Sequence, residues 1–179
     1  SESRNADRMF PVEFIPWDWA IPRGVGLTVE QIQMALSDAL HQREFIVKTL
    51  ERAFEGEVEL EGIESMRVSR RQEGFDEVVL RVDVTLSDGR AGRFILIVPK
   101  RSEESDGVRT RFGYMSTLSQ LDPRYVPQPY QAGEGSYVDV DSKETRQLAI
   151  YAVEDIGDVY NELNPRAQGR IAINLRPVS

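Results

Sequence analysis

Few residues in this 179-residue sequence combine the types and the spacing that catalysis requires. His41 is the single histidine, and the sequence contains no cysteine, which excludes thiolate nucleophiles. His41 lies within a helical pattern, where we expect a solvent-facing or capping residue and not the base of a catalytic triad. Adjacent carboxylates such as Glu103 and Glu104 are abundant, but acid–base catalysis needs a desolvated carboxyl with a matched partner. The residue types therefore predict no complete catalytic site.

Motifs that bind phosphate or metal ions are incomplete in this sequence. Neither the G-x-x-x-x-G-K-[ST] loop nor the G-x-G-x-x-G loop occurs. Residues 139–144 have the composition of a calcium loop, but they lack its central glycine and a final glutamate at the required spacing. We therefore expect residues 139–144 to form a charged hairpin connection.

The composition argues against two classes of partner. The net charge of −8 disfavours a nucleic-acid-binding protein, because affinity for nucleic acid comes mainly from neutralising phosphates. A local basic patch of Arg67, Arg70 and Arg71 is the alternative, although we expect these residues to be a solvated strand end. The longest apolar run, residues 94–98, is far shorter than the roughly 20 residues of a membrane span. With no secretory apolar core at the N-terminus and no cysteine, we expect a cytoplasmic protein.

Residues 1–26 are predicted to form an N-terminal extended arm ahead of a single α+β domain at 27–179. Prolines at 11, 16 and 22 exclude a helix over residues 10–22, where several aromatic side chains are concentrated. We expect these aromatics to pack across the main body of the domain. The alternative is that residues 10–22 bind a protein partner or a second copy of the chain.

Helical and strand patterns follow the arm. Thr28 and Gln31 fit a capping box, and apolar residues recur at helical spacing as far as Gly56, in one long helix or in two separated near His41 and Gln42. Strict alternation predicts a strand at 57–61, and Asp88-Gly89 predicts a hairpin between strands at 79–86 and 93–98. Residues 101–109 are predicted to be a loop, 110–121 a helix, 122–135 an extended or edge segment and 148–153 a buried strand. A short helix at 157–164 and a final strand at 171–175 complete the pattern. The predicted fold is a small, mostly antiparallel twisted sheet flanked by helices.

The order of these elements contains several short motifs. A hairpin leads into a buried strand that ends in Pro99 and Lys100, and a loop and a helix follow. Residues 125–133 then read Tyr-Val-Pro-Gln-Pro-Tyr-Gln-Ala-Gly, and residues 149–157 read Ala-Ile-Tyr-Ala-Val-Glu-Asp-Ile-Gly. This arrangement, over about residues 57–160, resembles the N-terminal lobe of the aminoglycoside and choline kinase-like phosphotransferases.

The resemblance implies a nucleotide site, with ATP and magnesium as the cofactors. Lys100 would hold the nucleotide phosphates, and the backbone at Val153, Glu154 and Asp155 would meet the adenine edge. The loop between Arg70 and Glu77 would lie over the phosphates. The family's glutamate that pairs with the strand lysine would fall near Tyr114, or Glu103 or Glu104 would serve instead.

The sequence departs from that family after residue 160. No histidine–aspartate catalytic loop follows, and no Asp–Asn pair with a downstream metal-binding Asp is present, so the chain is not catalytically complete alone. The first hypothesis is therefore a lobe-like domain of a phosphotransferase-related protein. The alternative is a non-catalytic protein-binding or dimerising module, and a small enzyme that uses carboxylates is a third hypothesis.

Overall fold

A computed structural model describes residues 10–18, 26–74, 77–101, 105–121 and 127–156 of the chain. These residues form helices and strands of an α+β fold, as the sequence predicts. The helices are α1 (Val29–Leu40), α2 (Arg43–Phe54) and α3 (Ser105–Leu121), and a short 3-10 helix covers Leu60–Gly62. The strands are β1 (Val12–Phe14), β2 (Ile63–Glu73), β3 (Glu77–Leu86), β4 (Ala91–Pro99), β5 (Pro129–Val138) and β6 (Thr145–Val153).

The described strands form one six-stranded sheet in the order β1-β2-β3-β4-β6-β5. The short strand β1 runs parallel to β2, and every other neighbouring pair is antiparallel. Gly89 adopts a φ of 93° in the turn between β3 and β4, a conformation that glycine tolerates without steric cost. The predicted hairpin and the mostly antiparallel character of the sheet are both confirmed.

The two helices before the sheet are separated as one of the sequence alternatives predicts. Thr28 accepts a hydrogen bond from the backbone of Gln31, and the Gln31 side chain accepts one from the backbone of Thr28, which completes the capping box. His41 is the C-cap residue of α1, and α2 begins at Arg43. Phe10 stacks on the His41 ring with the two centroids 4.6 Å apart. His41 therefore has the capping role expected from the sequence.

The sheet is covered on both faces by apolar side chains. On the first face, side chains of β2, β3, β4, β5 and β6 pack with those of α1 and α2 in one large cluster, which we call the first cluster. On the opposite face a smaller set, the second cluster, packs against Phe112 of α3 and consists of Val79, Ile95, Ile97, Ala149, Tyr151 and Val153. The apolar strand predicted at 93–98 is thus a central strand buried on both sides.

Two predictions about local structure are wrong. Residues 57–61 do not form a strand: only Leu60–Gly62 is regular, as a 3-10 helix, and β2 begins at Ile63. Val58 and Leu60 are nevertheless buried, so the alternation reflects burial without strand pairing. The predicted loop at 101–109 is also too long, because α3 begins at Ser105.

The described part of the N-terminal arm packs against its own domain. Phe10 is buried, and Val12–Phe14 pairs with residues 66–68 of β2. The predictions for residues 1–9, 19–25 and 157–179, including the short helix and the final strand, lie outside the described residues. Within the described ranges, no helix has both the length and the apolar character to cross a membrane.

Candidate functional site

The candidate nucleotide residues lie at or just after the ends of two strands, β4 and β6, whose last residues lie at different positions along the strand direction. Glu77 at the start of β3 pairs with Pro99 at the end of β4, so Lys100 lies at one end of the sheet. Strand β6 runs in the opposite direction, and its last residue, Val153, pairs with Ile95 in the middle of β4. Five residues of extended chain, about 16 Å, separate Ile95 from Lys100.

Lys100 is buried and paired at its end of the sheet. Its side chain is only 1% exposed, and its Nζ lies 2.7 Å from Oε2 of Glu73, the last residue of β2. Glu73 pairs across the strands with Val78, a member of the first cluster. The backbone N–H of Leu27, just before α1, donates a hydrogen bond to the Lys100 carbonyl oxygen. The ammonium group is therefore on the side of the sheet that α1 and α2 cover.

The segment after β6 is fixed to the start of β5. The backbone N–H of Glu154 donates to the carbonyl oxygen of Gln128 at 2.8 Å. The backbone N–H of Gln128 donates to Oε1 of Glu154 at 3.1 Å. Val153, one residue earlier, belongs to the second cluster. These bonds hold the backbone of this segment beside the second face of the sheet.

Asp155 is paired with an arginine of β2, which is three strands away from β6 in the sheet. Oδ1 of Asp155 lies 2.8 Å from Nη1 of Arg71, and the Asp155 side chain is 2% exposed while that of Arg71 is 20% exposed. Strands β3 and β4 lie between β2 and β6 in the sheet order. Three inter-strand spacings amount to about 14 Å, so the chain after Val153 must turn toward β2 for the two side chains to meet.

A bulge in β2 gives Arg71 its direction. Arg70 pairs with Leu80 and Gln72 pairs with Val79, which leaves Arg71 as the extra residue. Val79 belongs to the second cluster, whereas Leu80 belongs to the first, so Arg71 lies with Gln72 opposite Val79 on the second face. The sequence analysis noted Arg71 only as part of a basic patch. A bulge leaves no clear signal in the alternation of β2, so the pairing with Asp155 was not predicted.

The structure therefore groups the predicted site residues in two places. Val153, Glu154 and Asp155 lie together on the second face with Arg71, and Lys100 lies with Glu73 at the end of the sheet. In the predicted phosphate loop, the Gly74 N–H donates to the Glu77 carbonyl oxygen, and residues 75 and 76 are outside the described part of the chain.

The predicted helix partner of Lys100 is not among the described contacts. The Tyr114 side chain on α3 is 67% exposed, and residues 103 and 104 lie outside the described ranges. The described acidic partner of Lys100 is Glu73. The assignment of Lys100, Val153, Glu154 and Asp155 to a nucleotide stays a prediction.

The rest of the second face, toward β1, is polar and balanced in charge. It has an open depression of about 320 Å³ whose lining includes Glu13, Arg67 and Asp83. Arg67 and Glu13 form an ion pair at 3.6 Å, and both side chains are more than half exposed. Pairs this exposed contribute little to stability or recognition.

Magnesium has no preformed protein site within the described ranges. No group of three or more His, Cys, Asp or Glu residues is arranged there to hold a metal ion. Magnesium commonly binds through substrate phosphates together with one or two carboxylates, so the ion would arrive with the nucleotide.

No protein-family model matches this chain, and no curated protein is similar enough to it to count as a match. The fold and the two ion pairs are therefore the observations from which a function is inferred.

Proposed function

We propose that residues 57–160 form a nucleotide-binding lobe like the N-terminal lobe of aminoglycoside and choline kinase-like phosphotransferases. The ligand is a purine nucleotide with magnesium, and it lies on the second face of the sheet against the backbone of Val153, Glu154 and Asp155. Catalysis would need the base and metal-binding residues that this chain does not supply in the family's pattern.

The main support is the chain order within one sheet. Three antiparallel strands, β2 to β4, are followed by helix α3 and then by the hairpin of β5 and β6. This is the order that the resemblance implies. The last strand continues into Glu154 and Asp155, the acidic crossover that the resemblance assigns to the adenine edge.

The second face also has suitable surroundings for a nucleotide. The second cluster places apolar side chains beside residues 153–155, but each of them is 4% exposed or less, so a purine ring would stack only at the edge of this cluster. Arg71 brings a positive charge to this surface. The role of Lys100 is the weaker part of the proposal, since its ammonium group would have to leave Glu73 to contact a phosphate.

Thermal unfolding with ATP and magnesium tests the proposal. A ligand that binds only the folded state stabilises it by RT ln(1 + [L]/Kd), which is about 1.4 kcal/mol when the ligand is at ten times its Kd. For a domain of this size we expect the melting temperature to rise by about 3–6 °C. Lys100→Met tests the lysine separately, and Lys48→Met, which removes an exposed lysine on α2, is its control. An unchanged melting temperature at 10 mM ATP would contradict nucleotide binding.

A second candidate is a non-catalytic protein-binding module. Helix α3 exposes three large side chains along one stripe: Tyr114 at 67%, Leu118 at 46% and Leu121 at 77%. Such side chains on one helix face are typical of an interaction surface. Light scattering of the wild type and of Leu118→Glu would show whether this stripe joins two copies, and a monomer in both cases would argue against dimerisation through α3.

A further inference from the structure

Among the described ion pairs of the second face, that of Arg71 and Asp155 is the one most completely removed from water. The other described pairs of that face, such as Arg67 with Glu13 and Arg81 with Asp83, have side chains that are more than a third exposed. Asp155 is 2% exposed, and the two residues are 84 positions apart in the chain. The pair therefore joins the strand before the β2–β3 turn to the segment that follows β6.

Burying a carboxylate and a guanidinium together is a costly way to stabilise a fold. The loss of hydration commonly matches or exceeds the attraction between the charges, and an apolar pair of similar volume is often as stable. Removing one partner, in contrast, leaves a buried charge uncompensated. A guanidinium that is only 20% exposed needs an anion beside it, but the anion need not be a carboxylate of the same chain.

We infer that Arg71 is the anion-binding residue of the second face and that Asp155 occupies its site in the ligand-free protein. The ligand class is a phosphate group of a nucleotide or of an inorganic polyphosphate. Binding transfers the Arg71 guanidinium from the Asp155 carboxylate to phosphate oxygens. That the ligand carries a nucleoside rests on the proposed function. That Arg71 binds an anion does not.

The chemistry of the two groups supports the exchange. A guanidinium presents paired N–H donors that fit carboxylate and phosphate oxygens alike, so a phosphate is a chemically suitable replacement for the carboxylate at Arg71. Lys100 is less suited, because its ammonium group lies at the end of the sheet and is bonded to Glu73. Arg71 also lies two residues before the end of β2, next to the loop that the resemblance places over the phosphates.

Two substitutions test the exchange with inorganic tripolyphosphate as the probe. Asp155→Asn keeps the side-chain shape and removes the competing charge, so we expect the affinity for tripolyphosphate to rise by about tenfold or more. Arg71→Gln should lower it by at least a similar factor. Arg67→Gln, which removes an exposed arginine from the same strand, is the matched control and should leave the affinity unchanged apart from a small effect of charge. Isothermal titration calorimetry at fixed salt measures all four proteins.

A measurement on the wild type covers the case in which a variant does not fold. Titration with tripolyphosphate should move the side-chain Nε–H signal of Arg71 in a ¹H–¹⁵N spectrum more than that of Arg67. Binding that leaves the Arg71 signal in place would overturn the inference.

The outcomes separate this inference from the proposed function. If tripolyphosphate binds as expected but ATP binds no more tightly and adenosine does not bind, the anion site stands and the nucleotide proposal fails. If ATP binds the wild type, Asp155→Asn and Arg71→Gln equally well, the nucleotide proposal stands and the anion site fails. If neither ligand binds any of the proteins, both fail.

Discussion

Lys100, which is buried, and Arg71, which is 20% exposed, show how charged side chains are held largely out of water in the described part of this fold. Lys100 pairs with Glu73, and Arg71 pairs with Asp155. The two residues of each pair are distant in sequence and meet only in the folded chain. Lysine and arginine are almost never fully buried unless they are paired. Each carboxylate is therefore a condition for the burial of its cation, whatever ligand the site binds.

Glu73→Gln should destabilise the protein markedly, because it leaves the Lys100 ammonium group buried beside a neutral amide. Removing one partner of a buried pair costs about 3–5 kcal/mol, and we expect about 2–3 kcal/mol here because Glu73 is itself 23% exposed. Urea denaturation gives the free energy of unfolding. Glu44→Gln, which breaks the exposed pair with Lys48 on α2, is the control and should cost less than about 0.5 kcal/mol. Equal effects of the two substitutions would show that burial does not matter for Lys100.

The sequence predicted the local role of a residue, such as helix capping, better than it predicted which distant residue it contacts. The Thr28 capping box and the capping role of His41 are local, and short-range spacing was enough to find them. The partners of Lys100 and Arg71 depend on which strands are neighbours and on the bulge at Arg71, and neither is encoded in local spacing. For this reason the Arg71–Asp155 pair appeared only in the structure.

At the scale of elements, α1 and β5 are in close contact at Gly135. A Cβ atom added at Gly135 on β5 would overlap the backbone carbonyl oxygen of Ala35 on α1, and one added at Gly133 would overlap the Phe45 ring. A side-chain ring can move, whereas a helix backbone in a packed layer moves little. Gly135 is therefore what permits α1 to lie directly on the edge strand.

Gly135→Ala should cost about 3 kcal/mol of unfolding free energy, since the overlap can be relieved only by moving α1. Gly133→Ala should cost less, because the Phe45 ring can shift. Gly113→Ala on α3 meets no atom within 4 Å and should stabilise the protein by about 0.5–1 kcal/mol through helix propensity. Chemical denaturation of the three variants gives their free energies of unfolding, which should rise in this order. A Gly135→Ala protein as stable as the wild type would mean that α1 and β5 are not in tight contact.

The errors at the element scale have one physical cause. Alternating apolar residues at 58 and 60 are buried as a strand would bury them, but this segment pairs with no strand before Ile63. In the same way, Ser105 begins a helix in a segment whose polar composition resembles a loop. The spacing of apolar residues and the composition of a segment indicate which residues are buried. Strand pairing and helix length depend on neighbours that are distant in sequence.

At the scale of the whole molecule, the two faces of the sheet are covered unequally. The first cluster combines two amphipathic helices with five strands, whereas the described apolar contact of α3 with the second cluster is made by Phe112. Phe112 lies against Tyr151, with the ring centroids 4.8 Å apart, and other apolar side chains of α3 are exposed. Local stability follows the buried apolar contacts of each element. The layer of α1 and α2 should therefore be the stable body of the domain, and α3 should open separately.

Native-state hydrogen exchange measures this difference directly. Amides of α3 should exchange faster than those of α1, at a rate that does not follow global unfolding. Phe112→Ala should accelerate exchange in α3 by about tenfold, equivalent to about 1.4 kcal/mol, and leave α1 unchanged. Tyr114→Ala, which removes an exposed ring from the same helix, is the control and should change neither. If α1 and α3 exchange together in every variant, the two layers unfold as one unit and α3 is bound to the sheet more strongly than its contacts indicate.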